Sequence, residues 1–186
     1  MNFTFFKKLC PLVGILILSS AAYAQTNVFD DVIAPSPDHT HLEIALEETG
    51  LDDVLRDPNA NYTIFAPDDD AIDAFAAQLG VTPGALLNSP QLSNLLLYHV
   101  LDTEVLSGDI SNGDIVTPLN DDNTLKLTAT SGGEIFVNQA QVNGADLQAD
   151  NGVVHSLNAF LLADETVADV AIDNGFSSLV AAAVTA

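Results

Sequence analysis

The chain has 186 residues, 48% of them hydrophobic, and carries a net charge of −22 from 26 acids against four lysines and arginines. Such a field repels phosphate backbones and anionic lipid, which excludes nucleic acid and membrane surfaces as direct partners. The apolar content excludes a disordered acidic tail and suits one domain with a real core.

Residues 1–24 read as an address. Lys7 and Lys8 precede a short apolar run from Leu9 to Leu18, and Ala22-Tyr23-Ala24 has the small-residue form of a cleavage site. A membrane span needs about 20 apolar residues, so this run is too short for one. Cleavage near Ala24 and export are expected, with no membrane insertion afterwards. The one cysteine, Cys10, lies inside this leader, so the exported chain has no disulfide or thiol chemistry. Arg56 and Lys126 are then the remaining lysine or arginine cations.

Residues 25–163 read as one domain. Thr40-His41-Leu42-Glu43 has the form of a capping box, with Thr40 as N-cap and Glu43 reaching back. Leu42, Ala45 and Leu46 share a face, and Gly50 closes that helix. A short helical turn at Leu51–Leu55 and a turn at Asp57-Pro58-Asn59 follow. Tyr62 to Phe65 predicts a strand that Pro67 ends. Ile72, Phe75, Ala76 and Leu79 predict an amphipathic helix that Gly80 stops. Ser89-Pro90 predicts another helix start, with Leu92, Leu95, Leu96 and His99 along one face.

After His99 the apolar period becomes two. Strands are expected at Val100–Val105, Asp114–Pro118, Thr124–Thr130, Glu134–Val137 and Gly152–Leu162. Ser131-Gly132-Gly133 joins two of them as a hairpin turn. Helices in the first half and strands in the second predict an α+β fold, an antiparallel sheet partly covered by helices. Residues 164–186 match the start of the domain: "TVADVAIDNGFSSLVAAAV" aligns with "NVFDDVIAPSPDHTHLEIAL". They are expected to begin a second, truncated copy, or else to form a C-terminal tail packing back on the single domain.

The acids invite a metal reading. Asp68-Asp69-Asp70 stands where a helix begins, and an N-cap with two first-turn carboxylates explains it. Asp69 and Asp73 share a helix edge, but two carboxylates fall short of the 6–8 oxygens that calcium takes. Asp121-Asp122-Asn123 lacks the glycine and alternating ligands of an EF-hand and reads as a turn. His39 and His41 are two apart and do not face each other as a zinc pair would. No nucleophile elbow, triad spacing or marked carboxylate pair is present, so neither catalytic residues, metal site nor cofactor is expected. His99 and His155 read as buried histidines able to meet in the core.

Three stretches, "YTIFAPDDDAIDAF", "LLLYHVLDTEV" and "NGVVHSLNAFLL", together resemble the fasciclin domain family over roughly residues 28–163. The resemblance implies a β-sandwich-like wedge of about seven mostly antiparallel strands with a helical layer from the N-terminal half. It also implies an extracellular or cell-surface module, often repeated, used for adhesion and matrix contacts, and not an enzyme. By the same resemblance Tyr98-His99 falls on the family's tyrosine–histidine motif. Asp146-Leu147 falls on the acid–aliphatic pair implicated in integrin contact, without the preceding Glu-Pro. The expected function is non-catalytic adhesion to surface or matrix proteins or polysaccharide, secreted or at the cell surface, the periplasm included. The alternative is an acidic exported protein that binds divalent cations or a small ligand. Oligomeric state is left open.

Overall fold

Every residue is buried in two stretches of the chain, Tyr62–Pro67 (β1) and Gly152–Leu157 (β7), and the rest of the fold is arranged around them. The structure is a computed structural model describing residues 25–120 and 123–162. The expected leader, the expected second copy and Asp121-Asp122 lie outside the described residues.

From the N-terminus, a π-helical turn at Val28–Ile33 leads to α1 (Thr40–Thr49), α2 (Leu51–Leu55), β1, α3 (Asp69–Gln78), α4 (Pro83–Leu87) and α5 (Leu92–Leu97). Six strands complete the domain: β2 (Val100–Leu101), β3 (Asp114–Val116), β4 (Leu125–Ala129), β5 (Ile135–Val137), β6 (Ala140–Ala149) and β7. They form one seven-stranded sheet in the order β2-β1-β7-β6-β5-β4-β3. Only β1 and β7 run parallel, in the register Tyr62↔Gly152 to Pro67↔Leu157; the other pairings are antiparallel.

A strand covered on both faces loses the apolar–polar alternation, and β1 shows why. Ile64 and Ala66 face a core built with Leu42, Leu46, Ile72, Phe75, Leu92 and Leu96 from the helical layer. Phe65 faces a second core with Leu125, Leu127, Val137 and Leu157, inside the curl of the sheet. Gly152 makes the parallel pairing possible. Its φ is +149°, and a Cβ there would lie 2.1 Å from the Tyr62 carbonyl oxygen.

Several boundaries differ from expectation. The strand expected at Val100–Val105 keeps only two residues. The run after Leu157 leaves the sheet, and the ten-residue β6 was not expected at all. Thr82, whose Oγ1 accepts from the Ala85 amide, and Pro83 at the first helical position start an unforeseen α4. Helix α5 begins at Leu92 rather than at Pro90, with Ser89 Oγ accepting from the Gln91 amide in the preceding turn.

The capping box at Thr40 does not form. Thr40 is the first residue of α1, and His39 precedes it without capping through its side chain. The open amide of His41 is satisfied instead by Asp69 Oδ1 at 2.8 Å, reaching over from the start of α3. Asp68 behaves as expected: it is the N-cap of α3, accepting from Ala71 N at 2.8 Å.

Candidate contact site

Asp68–Asp70 thus serves two helices, and its third function is to wall a cleft. Asp68 Oδ2 accepts from the side-chain amide of Asn143 at 2.8 Å, tying the start of α3 to β6. Between them opens a cleft of about 450 Å³, lined among others by Asp38, His39, Asp68, Asp70, Asn143 and Leu147. His39 is buried with Nδ1 2.7 Å from Ser36 Oγ and Nε2 3.0 Å from Ser156 Oγ. Burial pushes its pKa down, against the pull of Asp38, Asp68 and Asp69. His41 lies at the edge shared by Asp69 and Asp73, its Nδ1 3.7 and 3.6 Å from their carboxylates. Among the described residues no group of three or more His, Cys, Asp or Glu is placed to hold a metal.

Of the Asp146-Leu147 pair, Leu147 lines this cleft. Strand β6 slips register against β7 between Val142 and Gly144 and again between Gly144 and Leu147, so the intervening residues bulge. Asp146 sits in the left-handed region at φ +58°, a conformation that Asp and Asn tolerate better than most residues. Each oxygen of its carboxylate accepts a hydrogen bond from Ser107. Oδ1 accepts from Ser107 N at 2.8 Å and Oδ2 accepts from the Ser107 hydroxyl. Burial works to raise its pKa, but the two Ser107 hydrogen bonds and the nearby His155 outweigh it, and the pKa falls. Leu147 is 41% exposed.

His155 supports the bulge from below. Its Nδ1 accepts from the Asp146 amide at 3.3 Å, which leaves the proton on Nε2 to be donated to Val105 O at 2.8 Å. Its ring stacks on Phe65 with centroids 5.8 Å apart. Thr63 Oγ1 donates to Thr103 O and accepts from Val105 N, fixing the same loop to β1. A strand histidine, a loop serine and a bulge aspartate therefore form one connected unit. His155 was legible as buried; Ser107 carried no signal in the sequence.

Tyr98 and His99 lie elsewhere, in the core. Tyr98 is 3% exposed; its hydroxyl donates to Thr124 O at 3.0 Å and accepts from Asn138 Nδ2 at 3.3 Å. His99 is 1% exposed, with Nδ1 donating to Leu95 O at 2.8 Å and Nε2 accepting from Leu161 N at 3.0 Å. Its ring meets Phe160 edge-on at 4.5 Å, and Phe160 stacks on Phe75. Burial lowers its pKa to about 4. His99 and His155 do not pair: each ring nitrogen has a backbone partner of its own.

Comparison with known proteins places this geometry. A fasciclin domain model matches residues 37–163. Protein sll1483 of Synechocystis is 28% identical over 148 residues, which cover 78% of this chain and 79% of that one. Transforming growth factor-beta-induced protein ig-h3 of Sus scrofa is 35% identical over 132 residues, 70% of this chain but only 18% of that protein. Among solved structures, a FAS1 domain pair from the insect cell adhesion molecule fasciclin I superposes with a TM-score of 0.61 at 20% identity. That match covers 75% of this chain and 51% of the pair, so it bears on the fold alone. The seven-stranded mixed sheet, its helical layer and the matched sequence agree: the chain belongs to the fasciclin domain family.

Proposed function

We propose that this chain is an exported, non-catalytic contact module that attaches its bearer to surface or matrix proteins or to polysaccharide. The leader-like residues 1–24 support export to the cell surface or beyond, and no helix among the described residues is long and apolar enough to cross a membrane. The observation that carries the reading is Leu147. It is one of few large aliphatic side chains at least 40% exposed among the described residues, on a pinned bulge beside a cleft. An apolar side chain held in water by built structure marks a contact better than a scattered one does. Tyr98 and His99 contribute indirectly, by setting the core beneath the sheet.

The test displays the full chain on a non-adherent bacterial host and measures retention under flow on glass coated with collagen, fibronectin or cellulose. Retention above the empty host on at least one coating, lost in Leu147→Asp, is the expected result. Retention equal to the empty host on all three sinks the reading.

A further inference from the structure

We propose that the cleft between α3 and β6 binds a protonated amino sugar. Asp38 and Asp70 take its ammonium group, and the Ser156 hydroxyl donates to one of its oxygens. The inference goes beyond the attachment reading and does not rest on it.

The floor of the cleft holds a hydroxyl hydrogen without an acceptor. His39 is neutral at pH 7, since burial outweighs the pull of three nearby aspartates, so its ring has one N–H and one lone pair. It lies between two hydroxyls, Ser36 at Nδ1 and Ser156 at Nε2. One serine donates to the ring; the other accepts from it and keeps its own hydrogen unspent. The Ala66 carbonyl works to hold a proton on the ring, and Ala66 is the sheet partner of Ser156. The ring proton is therefore on Nε2, and the unspent hydroxyl is that of Ser156. Ser156 is 8% exposed, and it lines the cleft. A buried donor left unpaired is costly, and a ligand oxygen supplies the acceptor. Gly144 keeps the way to it open: a Cβ there would lie 3.3 Å from that of Ser156.

The walls ask for a cation. Asp38 and Asp70 line the cleft, and neither carboxylate has a hydrogen bond or ion pair with another described residue. Asp68 and Asp69 beside them already accept from Ala71, Asn143 and His41. A metal ion does not fit, because no three ligating side chains converge among the described residues. An ammonium group suits dispersed carboxylates, since it donates its three hydrogens in separate directions. The cleft, at about 450 Å³, has room for roughly fifteen waters at ~30 Å³ each. That space suits a ring rather than a bare amine. A sugar ring with an unacetylated amine carries both the cation and the oxygen.

The test titrates the purified full chain at pH 7 and matched ionic strength, following backbone amide resonances. The probes are D-glucosamine, N-acetylglucosamine, glucose and ethanolamine. Saturable shifts at Asp38, Asp70, Asn143 and Ser156 are expected with glucosamine. The two uncharged sugars, and ethanolamine without the ring, are each expected to bind about tenfold more weakly. Asp38→Asn combined with Asp70→Asn is expected to lower glucosamine affinity about tenfold, and Ser156→Ala about fivefold. The asparagine pair keeps the test open if Ser156→Ala does not fold. Ring nitrogen shifts of His39 are expected to place its proton on Nε2. A proton on Nδ1 would spend the Ser156 hydroxyl on the ring and overturn the inference. Glucose binding as well as glucosamine, or full affinity in the asparagine pair, would remove the carboxylates from the site and overturn it too. Ethanolamine binding as well as glucosamine would overturn the sugar assignment. The absence of any saturable shift with glucosamine would overturn the proposal outright.

Discussion

Buried histidines give this domain a pH dependence that can be assigned at the level of one residue. His99 holds its neutral form through Leu95 and Leu161, and its pKa is about 4 against 6.5 for an ordinary histidine. Between those two values the unfolded chain takes up a proton that the folded chain refuses. The contribution of neutral His99 is thus whole above pH 6.5 and lost progressively as pH falls toward 4. At ~1.4 kcal/mol per pKa unit the loss amounts to about 3 kcal/mol. His39 shifts the same way, and relief of carboxylate repulsion in acid acts oppositely, so the measurement is a difference. Urea unfolding of the parent and of His99→Gln should show the parent's advantage at pH 7 shrinking by about that amount by pH 4. Local rules made several of these residues legible. Asp68 was readable as a cap because its partner is three residues away. His155 was readable as buried from its apolar neighbours, whereas its hydrogen bond to a residue nine positions back depends on a bulge that no local pattern announces.

Among elements, the start of α1 shows where local signals are overruled. Thr40-x-x-Glu43 satisfies the capping-box pattern, yet the helix includes Thr40 itself and takes its cap from Asp69, 28 residues away from His41 in the chain. His39 cannot leave the N-cap position free for a conventional cap, because its ring is held between Ser36 and Ser156. Thr40→Ala should therefore be nearly neutral in denaturant unfolding, whereas Asp69→Ala should cost about 0.5–2 kcal/mol, the usual cost of a lost cap. Equal costs would return the cap to Thr40. Strand β6 leaves little mark in the sequence for a related reason. "AQVNGADLQA" is mostly half-exposed or exposed, contains a glycine and an asparagine, and slips register twice, so neither periodicity nor β-branched content marks it. The α+β class and the strongly periodic α3 were readable because one buried face dominates each.

Charge is a property of the whole molecule. With 26 acids and four lysines or arginines, most carboxylates have no cationic neighbour to pair with. Arg56 is shared among Asp30, Asp52 and Asp53 while lying over the Phe29 ring at 4.5 Å, which clamps the π-helical turn onto α2. Self-repulsion of this kind is screened by salt, and the screening length falls to about 8 Å at 0.15 M. The thermal midpoint should rise on adding sodium chloride to a salt-free solution. It should rise equally with calcium chloride at matched ionic strength. A larger rise with calcium would revive a specific cation site, because only binding to the folded state adds stabilisation beyond screening.

The parallel pairing of β1 with β7 also sets the order in which the molecule can assemble. Tyr62 pairs with Gly152 and Pro67 with Leu157, so the middle of the sheet joins segments ninety residues apart. A chain made from its N-terminus can form the helices early, because their contacts are local. Neither core is closed until β7 is available, and until then β1 has only the two residues of β2 beside it. Non-local pairing of this kind delays folding, since loop closure precedes any return in contacts. The domain is consequently built to stay unfinished, and threadable through a narrow passage, until nearly all of its residues have emerged.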